Sequence, residues 1–425
     1  MASLLLTARM GVAAPNPTEQ SILGLLPEVT PIVGTAAPAG ANASAHAAAL
    51  RRDPQHTKSY WVRQIEGVPT SKRVVFLVPQ YHRNATMPID WTTLGKEIAE
   101  VQVNIDALVR RLALVHGVTC IGTEGDARAS ILRSSELRQL AWWHGDLLRD
   151  RKALLASLGS GAKRAQPPAD TIIELLEASI RRTIVYLDGV GAAQARLTGR
   201  VTLRRFGLED SEANQDALAL LDQLKKVEEE LAKTDPSSQP EAAGVVGDMW
   251  LREYPAYEAE TLLPLQNALS ALDTLRTELR ADGLKEDAAR IAAFLARVRR
   301  LVEALIKPSE VADTIAYYRK LERIIDEGGA EGRKLTRAEK RRRKKLLAQQ
   351  EKVAARYAEV TMRHREKVAA RKVIERMKAD DAPACVLVMG AGHEEGLAKE
   401  LIAAATSDGV GPPGIVVVAP FNFEE

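Results

Sequence analysis

Val386-Leu387-Val388-Met389-Gly390-Ala391-Gly392-His393 decides how this chain is read. A short apolar run meets two glycines and then a histidine. Glu394-Glu395-Gly396-Leu397-Ala398-Lys399-Glu400-Leu401 follows with the pattern of an opening helix. An uninterrupted apolar run is what a parallel strand needs when both its faces are buried. Strand, tight turn and helix start together predict an α/β sheet, and ligands bind such sheets at the carboxyl ends of the strands. His393 is therefore expected at a chemically useful edge.

Two more segments repeat the pattern. Val74-Val75-Phe76-Leu77-Val78 reads as a buried strand that Pro79 stops, with His82 and Arg83 just beyond it. A helix is expected over 91–114, where Leu94, Ile98, Val101, Ile105, Leu108 and Leu112 recur every three or four positions. Gly117 ends it. Val118-Thr119-Cys120-Ile121-Gly122 is the next strand, leading to Glu124 and Asp126. Strand, helix, strand in this order makes a right-handed parallel unit. Arg200 to Phe206 alternates as a strand does and runs into Glu209-Asp210. A final apolar run, Gly414 to Ala419, closes the sheet, and Tyr60 to Ile65 suggests an edge strand.

Between these segments the chain reads as helix. Residues 216–379 are expected to form an all-helical insertion in an α/β core drawn from 56–215 and 380–425. Its long helix, striped by Leu346, Val353, Tyr357, Val360, His364 and Val368, follows a glycine-rich break at 327–332. That break predicts an antiparallel, coiled-coil-like hairpin arm. Gly159 to Pro168 reads as a linker, with Asp170 capping the next helix, and 1–55 reads as a loose leader.

Composition narrows the classes. The net charge is only +3 and the chain has no span of apolar residues long enough for a membrane helix, so neither nucleic acid nor a membrane is an expected partner. The basic cluster at 333–345 has no interleaved aromatic residue for base stacking and reads as a solvated helix start. Cys120 and Cys385 sit in apolar strands, which predicts reduced core thiols and a cytoplasmic protein.

His82, Glu124 and His393, with Glu209 behind them, would lie along one edge of a parallel sheet. Two imidazoles and a carboxylate can hold a divalent ion. They can equally form a metal-free acid–base site.

These segments resemble the superfamily that joins TraB/PrgY proteins, TIKI proteases, ChaN haem-binding lipoproteins and erythromycin esterases. Gly390-Ala391-Gly392-His393 is similar to that family's late Gly-x-x-His motif, and Glu124 to its strand-end glutamate. Pro79-Gln80-Tyr81-His82 resembles the first Gly-x-x-His with proline in place of glycine, and Phe206 to Asp210 resembles an acidic segment of some members. The resemblance covers 74–130, 200–215 and 384–420. It implies a hydrolase of peptidase or esterase type, with His82, Glu124 and His393 as general bases or as ligands to Zn, Mn or Co rather than to haem. Glu209 or Asp126 would orient a ligand or act as base. The alternative is a non-catalytic scaffold with a vestigial site and a helical arm that binds a partner or a second copy of the chain.

Overall fold

The computed structural model describes residues 40–80, 93–124, 134–159, 161–185, 189–197, 199–208, 210–234, 258–305 and 335–421, together with 32, 38, 316–317, 319–320 and 323. Six strands form one sheet: β1 (Tyr60–Gly67), β2 (Val74–Gln80), β3 (Cys120–Thr123), β4 (Arg204–Gly207), β5 (Ala384–Gly390) and β6 (Gly414–Pro420). Their order is β1-β6-β2-β5-β3-β4. Only β1 is antiparallel, against β6 at one edge; the remaining strands run parallel. β2 and β6 are buried along their whole length, because helices cover both faces.

One face is covered by α1 (Ala43–Arg51), α2 (Thr93–His116) and α5 (Gly189–Leu197). Gly189 opens α5 directly against α2: a side chain there would meet the Gln102 carbonyl oxygen at 2.1 Å. The other face carries α10 (Arg365–Ala379) and α11 (Glu394–Ser407), with Ala369, Ala370, Val373, Leu397 and Leu401 against Val75, Leu77, Leu387 and Val417.

The connections fix where a ligand would bind. From β2 the chain crosses by α2 to β3, past β5; from β5 it crosses by α11 on the opposite face to β6, past β2. Right-handed crossovers that leave in opposite directions lie on opposite faces. The neighbours β2 and β5 therefore part at their carboxyl ends, where Gln80 and Gly390 are register partners. That parting is a switch-point crevice.

Helices α3 (Ser134–Ser157), α4 (Ala162–Val185), α7 (Leu263–Ala281) and α8 (Lys285–Leu305) build a second core, with Leu147, Ile172, Leu176, Leu272, Ile291 and Phe294 inside it. The helical part thus takes in 134–185, beyond the 216–379 insertion expected. Helix α9 (Arg337–Ala358) opens with a capping box between Thr336 and Glu339 and lies along α6 (Ser211–Thr234), where Arg342 pairs with Glu230 and Gln350 with Glu228. Tyr317 and Lys320, from before the 327–332 break, also bond to α6, at Lys225 and Glu229.

Several local expectations change. The leader is not loose throughout: Asn42 caps α1 by accepting from the Ala45 amide, and Ala43, Ala47 and Leu50 are fully buried. The 159–168 stretch is not a linker, since α4 runs through Pro167 and Pro168. Ala165, Ala169, Ile172 and Leu176 are buried at helical spacing, so tertiary packing offsets the missing amide donors. Asp170 lies inside that helix, paired with Arg151, and caps nothing. Pro79 does not stop β2: it lies beyond the last rung to β6, at Leu77, while pairing with β5 continues to Gln80. Both cysteines are free and buried, facing each other across β3 and β5.

Candidate functional site

Two of the expected strand-end residues, Glu124 and His393, come close to each other at the crevice. Glu124 follows β3, and its own amide donates to the Val388 carbonyl, which fixes it beside the end of β5. Its Oε2 accepts from the Gly390 amide at 3.0 Å. His393 closes the 3-10 turn Ala391–His393 that joins β5 to α11. Gly390 stands between the two: a side-chain carbon built on it would lie 3.5 Å from Glu124 Oε2 and 3.8 Å from His393 Cδ2. The glycine therefore leaves a methyl-sized gap flanked by a carboxylate and an imidazole. Both groups are buried, Glu124 at 9% and His393 at 5% exposure.

Their direct partners come from a distant element. The long helix of the insertion passes from α9 through a six-residue π-turn, Glu359–His364, into α10. Such turns shift the helix register and are frequent at functional sites. Arg365 and Glu366 follow at once. Arg365 Nη2 donates to Glu124 Oε1 at 2.6 Å, and Glu366 Oε1 lies 3.1 Å from His393 Nδ1. With the carboxylate as acceptor, Nδ1 carries the proton and Nε2 keeps the lone pair.

Glu366 is itself held tightly. It is buried, and a side-chain carbon on Gly396 would strike its carboxylate at 2.1 Å. Only glycine lets this carboxylate settle on the first turn of α11, where the helix dipole favours a negative charge. On the same turn Glu394 pairs with Arg63 of β1 at 2.8 Å, and its burial holds its carboxyl above the usual range.

Other expected residues fall elsewhere. His82, Arg83, Asp126 and Glu209 lie outside the described residues. Asp210 caps α6, accepting from the Glu212 amide at 3.0 Å; that bond, with a smaller part from His364, holds its carboxyl below the ordinary range. His364 sits 3.5 Å from Asp210 and is half exposed, at the boundary of the apolar stripe. Arg365 and Glu366 carried no local signal, because a charged pair in a charged helix looks like solvated surface.

The described donors do not fit a divalent ion well. Both Glu124 oxygens are engaged, one by a guanidinium, which leaves only Nε2 of His393 to ligate an ion at this pair. An ion ~2 Å from Glu124 would stand within ~5 Å of the guanidinium, a repulsion of about 7 kcal/mol at an effective dielectric of ~20. Among the described residues no group of three or more His, Cys, Asp or Glu side chains is arranged to hold a metal.

Compared with family models, with curated proteins and with solved structures, the chain matches none.

Proposed function

We propose that the protein is a hydrolase whose general base is His393, oriented by Glu366, with the Glu124–Arg365 pair completing the site. The observation that carries this reading is the Glu366–His393 contact, 3.1 Å long and buried at a switch-point crevice. A carboxylate on Nδ1 holds the ring in the tautomer that can take a proton from water at Nε2, and it stabilises the imidazolium that results. Water deprotonated there attacks a carbonyl carbon; the proton on Nε2 then passes to the leaving oxygen or nitrogen. The methyl-sized gap left by Gly390 keeps the space between the imidazole and the carboxylate clear of side chain. Esters and amides are the substrate class suited to a base of this kind. The resemblance of Gly390 to His393 and of Glu124 to a family of esterases and peptidases supports the same class.

The test is a panel of p-nitrophenyl esters, lactones and peptide amides, run on the wild type, His393→Ala and Glu366→Gln. Hydrolysis by the wild type should fall ~10²–10⁴-fold in His393→Ala. In Glu366→Gln the loss should be smaller, with a changed pH–rate profile. Wild-type turnover no higher than background on every substrate, or turnover that survives His393→Ala, would sink the proposal and leave the crevice as a binding site.

A further inference from the structure

We infer that Arg365 is the resident cation of this site: it stands where a divalent ion would balance Glu124, and the site works on a fixed guanidinium instead of a metal. The charge of Glu124 has to be answered, because its carboxylate is nine-tenths buried. It is answered on one oxygen by Arg365 at 2.6 Å, and on the other by the Gly390 amide at 3.0 Å. The pair is itself largely enclosed, with side-chain exposures of 17% for Arg365 and 9% for Glu124.

The insertion delivers this cation deliberately placed. Arg365 and Glu366 are consecutive, so on a helix they diverge by ~100°. One reaches Glu124 beyond β3 and the other reaches His393 beyond β5. The π-turn just before them sets the helix phase at which both contacts are made together. A guanidinium is a planar, rigid fork of donors with no acceptor. It also offers donors to an oxygen that gains negative charge during attack. This last role rests on the hydrolase reading; the replacement of a metal does not.

The experiment separates the two. Full-length wild type, Glu124→Gln, Arg365→Lys, Arg365→Met and the Glu124→Gln/Arg365→Met double variant are dialysed against EDTA, then against Mn²⁺, Co²⁺ or Zn²⁺, and their metal content and melting are measured. The expected result is no Glu124-dependent metal in the wild type and a melting temperature that added ions leave unchanged. Arg365→Met should melt below the wild type, because the buried Glu124 carboxylate loses a guanidinium bonded at 2.6 Å. The double variant, which removes both charges, should recover much of that loss and stays informative if Arg365→Met does not fold. About one equivalent of metal in the wild type that Glu124→Gln abolishes would overturn the inference. So would an Arg365→Met protein that melts with the wild type. Where hydrolysis is found, Arg365→Met should lower kcat by ~10²–10³-fold, with partial activity in Arg365→Lys. An enzyme inactive on every substrate would remove the hydrolase reading while the metal and melting results still decide the cation.

Discussion

Acidification should destabilise this protein through a histidine pair on the far side of the sheet from His393. His46 of α1 and His116 of α2 meet with their Nδ1 atoms 3.0 Å apart, edge-on to Phe76. Both are buried, and Arg111, paired with Asp53, lies beside them. Burial first, then the neighbouring His46 and Arg111, pull His116 down to about 3; burial alone also lowers His46. In the unfolded chain each titrates near ~6.5. The folded state thus prefers the neutral ring, and its stability is complete above pH ~6.5 and is lost as the pH falls from there towards 3. Between pH 7 and 4.5 His116 alone should remove about 2.5 kcal/mol. That figure barely depends on the folded value as long as it stays below ~4. The perturbation is His46→Leu/His116→Leu, which replaces both partners by apolar groups and should change little at pH 7. Urea unfolding followed by circular dichroism at pH 7 and pH 4.5 isolates the term, because the carboxylates common to both proteins cancel. The wild type should lose at least about 2.5 kcal/mol more than the double variant, since His46 adds to the His116 share. Equal losses, within ~0.5 kcal/mol, would refute the claim that the fold holds this pair neutral.

Three further outcomes are expected. Gly390→Ala has an allowed backbone (φ −51°, ψ 141°) and ordinary contact distances. It should fold like the wild type yet lose most hydrolysis, since its methyl fills the gap between Glu124 and His393. Gly189→Ala should destabilise by at least ~2 kcal/mol in urea titrations, because the obstacle at 2.1 Å is backbone of α2. Deleting Thr361 should turn the π-turn into ordinary helix with little change in the facing of α10, because the residue removed (~100°) offsets the tighter winding of the turn. Helix content in the far-ultraviolet spectrum and hydrolysis should therefore both survive.

Much of this architecture was legible from sequence, for a physical reason. Parallel strands covered on both faces need unbroken apolar runs, so Val74 to Val78 and Cys385 to Met389 announced themselves. So did the last strand, with the edge strand opposite it more faintly. The helix after β2 was legible from its spacing, within two residues at each end. The errors came where packing overrode local chemistry. Pro167 and Pro168 are helical because the buried face of α4 outweighs two missing donors. Residues 43–51 belong to the body because small alanines fit against the sheet.

The sequence alone determined that Glu124 and His393 stand at strand ends, since strand length and turn residues are local properties. It did not determine what they touch. Glu124 finds Arg365 across 241 positions of chain, and His393 finds Glu366 across 27. The placing of β5 between β2 and β3, and the phase set by one π-turn, decide those partners. Such contacts depend on long-range packing order, which no periodicity in the chain records. Whether the strand-end carboxylate faces a metal or a guanidinium is therefore settled in tertiary structure.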